Sequence, residues 1–283
     1  MIGGVEPDLI VPVSRTSPAV AAERPIAFHH EIVVRHVSLR RVGAARSSID
    51  GISFGLKRGV RLGIVGSTGA GKSTLVELLL GVLPPQTGAI IIDGEPLCAA
   101  TQRAWQEKIS YVPQSPALFN DTVARNIAFG VPDEHIDMAE LRQAAHMANI
   151  HRFIEDELPK GYDTVISDRG TSLSAGQQQR LAIARALYRR PELVVLDEAT
   201  SALDTVTESL VTEAITEFGR NITVVIVAHR LSTVRNCDRI LVLDQGRVIQ
   251  DGAFEDLSKE PGQFRQQLGL ANVVQGPTSV DRL

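Results

Sequence analysis

The sequence predicts an α/β fold, a sheet of short buried strands with a helical lobe inserted in its middle, and three observations carry that prediction. Apolar runs of strand length, such as Leu193 to Leu196 and Thr223 to Ala228, are bounded by charged residues within a few positions. One such run, Arg61-Leu62-Gly63-Ile64-Val65-Gly66, ends in a glycine-rich turn that opens a helix from Lys72 to Leu80. Between about Ser115 and Arg190 the apolar spacing changes from that of strands to that of helices.

Taken in order, residues 1 to about 30 are rich in Pro, Ala, Val and Ser without a sustained period, and are expected to be a linker or flexible arm. Ile32-Val33-Val34, Val37 and Leu39 predict a first strand, with Ile52 and Phe54 on its partner and a turn at Lys57-Arg58-Gly59. The helix after the glycine turn is closed by Gly81 and followed by Pro84-Pro85. Further strands are expected at Ala89 to Ile92 and Ile109 to Val112. A hairpin is expected from Ile240 to Ile249, turning at Asp244-Gln245-Gly246. In the lobe, Asp137 with Glu140 three residues on forms a capping-box-like start, and Met138, Leu141, Ala145 and Ala148 follow at helical spacing. Glu208 to Phe218 carries a second helical stripe. The residues after about Leu270 have the look of a tail.

Composition narrows the class. The 283 residues are 43% hydrophobic and 22% charged, enough for a substantial core, and the net charge of −4 lacks the basic excess of a nucleic-acid binder. Cys98 and Cys237 are far apart, which gives neither a metal-ligand spacing nor a disulfide framework and fits a reducing cytoplasmic setting. No run of about 18 apolar residues is present, so the chain is not expected to span a bilayer, and no signal-peptide pattern is seen at the start.

Two segments carry chemistry. Gly66-Ser67-Thr68-Gly69-Ala70-Gly71-Lys72-Ser73 fits G-x-x-x-x-G-K-[ST] between a strand and a helix. The glycines let successive N–H groups turn inward on phosphate oxygens, and the helix N-terminus adds a favourable field. Lys72 would reach the β- and γ-phosphates, and the Ser73 hydroxyl would take Mg2+, with Thr74 next in the cradle. Leu193 to Asp197-Glu198 is a buried strand ending in two carboxylates at the edge where α/β sheets bind ligands. There Asp197 is suited to Mg2+ and Glu198 to activating water as a general base.

Leu173-Ser174-Ala175-Gly176-Gln177 follows the phosphate loop by about a hundred residues. With it, the chain resembles the ABC ATPase family over about Glu31 to Leu268. Gln178 to Leu187 continues that signature, Asp197 to Asp204 resembles the family's Walker B and D-loop, Ala228 to Thr233 its switch-histidine segment with His229, and Gln114 after Tyr111-Val112-Pro113 its Q-loop. The resemblance implies a P-loop NTPase core of RecA type with an antiparallel β subdomain and a helical subdomain at about 115–190. The domain is then 31–268, with 1–30 as the arm and 269–283 as the tail.

It further implies ATP and Mg2+ as ligands. Catalysis would rest on Glu198, His229, Lys72 and Gln114, and metal binding on Ser73, Gln114 and Asp197. Ser174, Ala175, Gly176 and Gln177, before a helix expected to begin near Gln177, would cover the γ-phosphate held by a second subunit. The partners are then a second ATPase domain, head to tail, and a transmembrane domain, with this chain peripheral on the cytoplasmic face of the membrane. Two positions depart from the family pattern. Ala175 replaces a glycine, and Arg41 stands where an aromatic residue usually stacks on adenine, a place a guanidinium can also fill. This leaves preference between ATP and GTP open. The stretches Ser115 to Asn120 and Asp163 to Gly170 correspond to those facing the membrane partner. Asp168-Arg169-Gly170 and the Pro-rich start are similar to exporters, and Ala228 to Leu243 is similar to flippases of lipid-linked sugars or polysaccharides. An importer subunit, a nucleotide-gated subunit with little hydrolysis, and the chromosome-associated and translation-factor ATPases are the other classes to weigh. The last two call for coiled coils or a second ATPase unit, and neither is present in this sequence.

Overall fold

The computed structural model describes residues 23–41, 43, 46–166, 173–197, 222–228 and 230–274. The predicted strands form where apolar alternation demanded them. β1 (Glu31–Leu39), β2 (Ile49–Lys57), β4 (Thr87–Ile92) and the short β5 (Glu95–Pro96) make an antiparallel sheet in the order β2-β1-β4-β5. A second sheet takes β12 (Arg247–Gly252), β11 (Arg239–Asp244), β3 (Arg61–Gly66), β10 (Thr223–Val227), β9 (Leu193–Asp197) and β6 (Ile109–Val112), in that order. All its pairings are parallel except the β11–β12 hairpin.

The central strands read as unbroken apolar runs because both faces are covered. On β9, Leu193 and Val195 enter one core while Val194 and Leu196 enter the other; on β10, Val225 and Val227 oppose Val224 and Ile226 in the same way. One core joins the sheet to the antiparallel sheet and to α1 (Lys72–Leu79) and α2 (Gln102–Gln106). The other joins it to the helical lobe: α3 (Val123–Ile127), α4 (Met138–Met147), α5 (His151–Glu157) and α6 (Ala175–Tyr188). The lobe also holds a two-residue ladder between β7 (Asp121–Thr122) and β8 (Val165–Ile166). Asp137 caps α4 by accepting from the amides of Ala139 and Glu140. Gly81, at φ +67°, closes α1 in the left-handed region. The expected helix Glu208 to Phe218 lies outside the described residues.

Packing begins before Glu31. Ile26 and Phe28 are buried, and Phe28 sets its ring edge-on to Trp105 at 5.6 Å. Asp93 gathers the amides of His29, His30 and Glu31 on its carboxylate and so fixes the chain's entry to β1. The end of the stretch read as an arm is therefore part of the folded body, held by two apolar side chains that the residues around them obscured. At the far end, helix Gln263–Val274 runs past residue 268.

Candidate functional site, a phosphate cradle beside a strand-end carboxylate

β3 lies between β10 and β11, so the loop that leaves it rises from the middle of the sheet's C-terminal edge. Two glycines are required by contact as well as by dihedral. A Cβ on Gly66 would stand 2.3 Å from the Leu243 carbonyl oxygen, and one on Gly71 2.4 Å from that of Ser48. Gly69, at φ +80°, has open space around it. Ser67, Thr68 and Gly69 are exposed, whereas Ala70 is buried and its carbonyl accepts from the Gly246 amide at the β11–β12 turn.

Gly71 is the N-cap of α1. It supplies no side chain to the first turn, and no acid lies within that turn. The amides there lie at the positive end of the helix's field. Lys72 is 6% exposed, and its Nζ donates to the Gly66 carbonyl at 2.7 Å and to that of Ser67 at 3.1 Å. The ammonium expected to reach for phosphate is thus stored within the loop. Ser73 is exposed next to it.

Arg41 does reach this region. Its Nε donates to Thr74 Oγ1 at 3.3 Å and its Nη2 pairs with Glu77, so the guanidinium lies along α1. Glu77 has no motif of its own and was not singled out in the sequence; its i,i+3 position from Thr74 on the helix is the signal that pairs them.

Asp197 ends β9 half-buried, two strands from β3 along the same edge. Its Oδ2 accepts from the Tyr111 hydroxyl at 2.9 Å. Burial, donation to Asp197 and the negative field of Asp197 and Glu77 push the Tyr111 phenol well above its ordinary pKa, so it stays a donor. Gln114 follows exposed. The carbonyl just before it, of Pro113, accepts from Gln179 Nε2 at 3.3 Å, and Gln179 is 2% exposed on α6. The loop after β6 is therefore tied to the signature helix. Sequence reading missed both Tyr111 and Gln179, because their partners depend on β6 lying beside β9 and under α6.

The signature turn departs from expectation by two residues. α6 begins at Ala175, with Ser174 as N-cap. Ser174 Oγ accepts from the Gln177 amide at 3.3 Å and Gln177 Oε1 from the Ser174 amide at 2.8 Å, a closed capping box. Ala175 and Gly176 therefore lie inside the first turn, and the Ala175 methyl is at the exposed surface. Among the described residues no hydrogen bond joins this turn to the phosphate loop. Glu198, His229 and residues 167–170 lie outside the described residues. In the stretch from Ser115 to Asn120, Phe119 stacks on Phe129 at 4.3 Å, and the Arg185 guanidinium sits 5.3 Å from the Phe119 ring. Both rings are exposed, a small aromatic patch on the lobe.

Residues 49–201 match the family model described as ABC transporter, which is more than half of the chain. The chain belongs to the ABC transporter family. It is an ATP-binding domain of that family, with the ABC ATPase fold. It is 46% identical over 217 residues to an ATP-dependent lipid A-core flippase of Saccharophagus degradans, covering 77% of this chain and 36% of that protein. It is 42% identical over 260 residues to the β-(1→2)glucan export ATP-binding/permease protein NdvA of Rhizobium meliloti, covering 92% of this chain and 44% of that one. Among solved structures, a bacterial Atm1-family ABC exporter with ATP bound superposes with a TM-score of 0.81 at 37% identity, over 93% of this chain and 45% of the other. The chain thus spans less than half the length of these relatives.

Proposed function

We propose that this chain binds and hydrolyses ATP in a head-to-tail dimer and drives export, or flipping of a lipid or oligosaccharide, through a transmembrane partner at the cytoplasmic face of a membrane. The observation that carries the reading is the buried Lys72 ammonium inside an uncapped helix N-terminus, with Asp197 at the same sheet edge. A triphosphate entering the loop replaces the Gly66 and Ser67 carbonyls on Lys72 with its own oxygens and takes amides of the first turn.

The donors at hand for a metal are the Ser73 hydroxyl, the Asp197 carboxylate and the Gln114 side-chain carbonyl. All are hard oxygens, and one carboxylate supplemented by substrate phosphates is the set that suits Mg2+. When bound, the ion neutralises charge that develops on the phosphates. Glu198 orients or deprotonates the attacking water, and His229 contacts the γ-phosphate. Ser174 to Gln177 of the second subunit closes over that phosphate, and Arg41 lies against the base. Export rather than import is supported by the relatives' names and by the exporter-like neighbour, all of which belong to longer proteins. No helix of the described residues is long and apolar enough to cross a membrane, so the transport path is assigned to a membrane partner domain.

The test is Glu198→Gln. It is expected to retain ATP binding, to dimerise with ATP and to lose turnover by a factor of about a hundred or more. Turnover at the parental rate, or a nucleotide-loaded variant that stays monomeric in analytical ultracentrifugation, contradicts the reading.

A further inference from the structure

The end of β6 holds the one side chain that hydrogen-bonds the candidate metal carboxylate among the described residues. In the parallel register Tyr111 stands opposite Val195, so Asp197 is two residues further along β9 and on the same face. The Tyr111 ring leans along the strands to that residue and its hydroxyl meets Oδ2 at 2.9 Å. The contact is a hydrogen bond to an anion, the stronger kind. Yet Tyr111 is 42% exposed, unlike the buried Val112 beside it. That exposure leaves the ring a path toward solvent. A strand-end carboxylate next to a phosphate loop is therefore occupied by a neutral donor that can be displaced.

We propose that the Tyr111 hydroxyl is a stand-in for the metal: it donates to Asp197 Oδ2 and competes for that oxygen with Mg2+ or the ion's water. Tyr111 thus sets the Mg2+ concentration at which nucleotide becomes tightly held. The inference rests on the proposed reading of Asp197 as the metal carboxylate. It gives the exposed tyrosine a role that packing does not. Binding of metal-free nucleotide, which belongs to Lys72 and the loop amides, is independent of it.

The experiment titrates Mg2+ against a fluorescent ATP analogue on the whole chain, for the parent, Tyr111→Phe and Asp197→Asn, with thermal unfolding of each as a check on folding. Phenylalanine keeps the exposed ring and removes only the hydroxyl. The Mg2+ midpoint of Tyr111→Phe is expected to fall about tenfold or more, the worth of one net hydrogen bond to a charged group, with metal-free affinity unchanged. A midpoint that stays put or rises overturns the stand-in; a rise assigns Tyr111 to holding Asp197 in its metal-binding orientation instead. Asp197→Asn is expected to abolish the Mg2+ dependence. If it does not, the metal reading of Asp197 fails, and with it this inference. If the parent binds no analogue at any Mg2+ concentration, the phosphate-loop reading itself is at fault.

Discussion

α1 and α6 both begin with a glycine-containing turn facing a candidate phosphate, yet their first turns are finished in opposite ways. Gly71 gives α1 no side-chain cap, and the Lys72 ammonium fills the space instead. Ser174 and Gln177 close α6 on itself. The first is the proposed seat for an anion within one chain. The second is a rigid, pre-formed edge whose Ser174 hydroxyl accepts from within and keeps its own hydrogen to donate outward. A third site shows what a satisfied seat looks like: the amides of His29, His30 and Glu31 are filled by Asp93 from the same chain. Under the proposed function this difference would divide the labour, with α1 taking the nucleotide within one chain and α6 adding contacts only once a second subunit brings it.

The comparison breaks most visibly at Gly71. Replacing it with alanine puts a methyl into the Ser48 carbonyl in a backbone region closed to side chains. Gly71→Ala is expected to cost about 3 kcal/mol of stability or more, read by denaturant unfolding, along with loss of nucleotide binding. A variant of parental stability would show that the loop is less tightly braced than its contacts indicate. Ser174→Ala sharpens the contrast. It removes one cap, worth about 1 kcal/mol, and is expected to leave nucleotide affinity of the monomer unchanged while weakening ATP-dependent dimerisation. Equal weakening of monomer binding would place both turns on the same nucleotide.

The smallest effect concerns the filled seat. Burial alone would raise the pKa of Asp93, but the His29, Glu31 and His30 amides outweigh it and hold the carboxyl below its usual value. A depressed pKa contributes stability above the unfolded value of about 4 and loses it as the pH falls through the folded value. Asp93→Asn is therefore expected to flatten the acid limb of a stability-pH curve slightly and leave the limb above pH 6 parallel to the parent. An unchanged acid limb would show that the amides do not favour the ionised form.

Much of this was legible in the sequence, and the parts that were not share a cause. Strands such as β9 and β10 announce themselves because burial on both faces leaves polar residues only at their ends, and the phosphate loop because its glycines sit where only glycine fits. Ser174 with Gln177 three residues on is a readable capping box that places the start of α6 at Ala175; the signature motif drew attention to the glycine instead. Tyr111 with Asp197, Arg41 with Glu77 and Gln179 with Pro113 were out of reach. Each pair is joined across elements, and the order β10-β9-β6 that joins Tyr111 to Asp197 follows from no local pattern.

The phosphate loop is braced from late in the chain: the Gly246 amide holds Ala70, and β3 is flanked on both sides by β10 and β11. During synthesis the ribosome makes the glycine loop long before the segments that fix its shape. A nascent chain that ends short of Gly246 carries the whole motif without its support. The loop's backbone bracing is thereby completed only once translation has passed that turn.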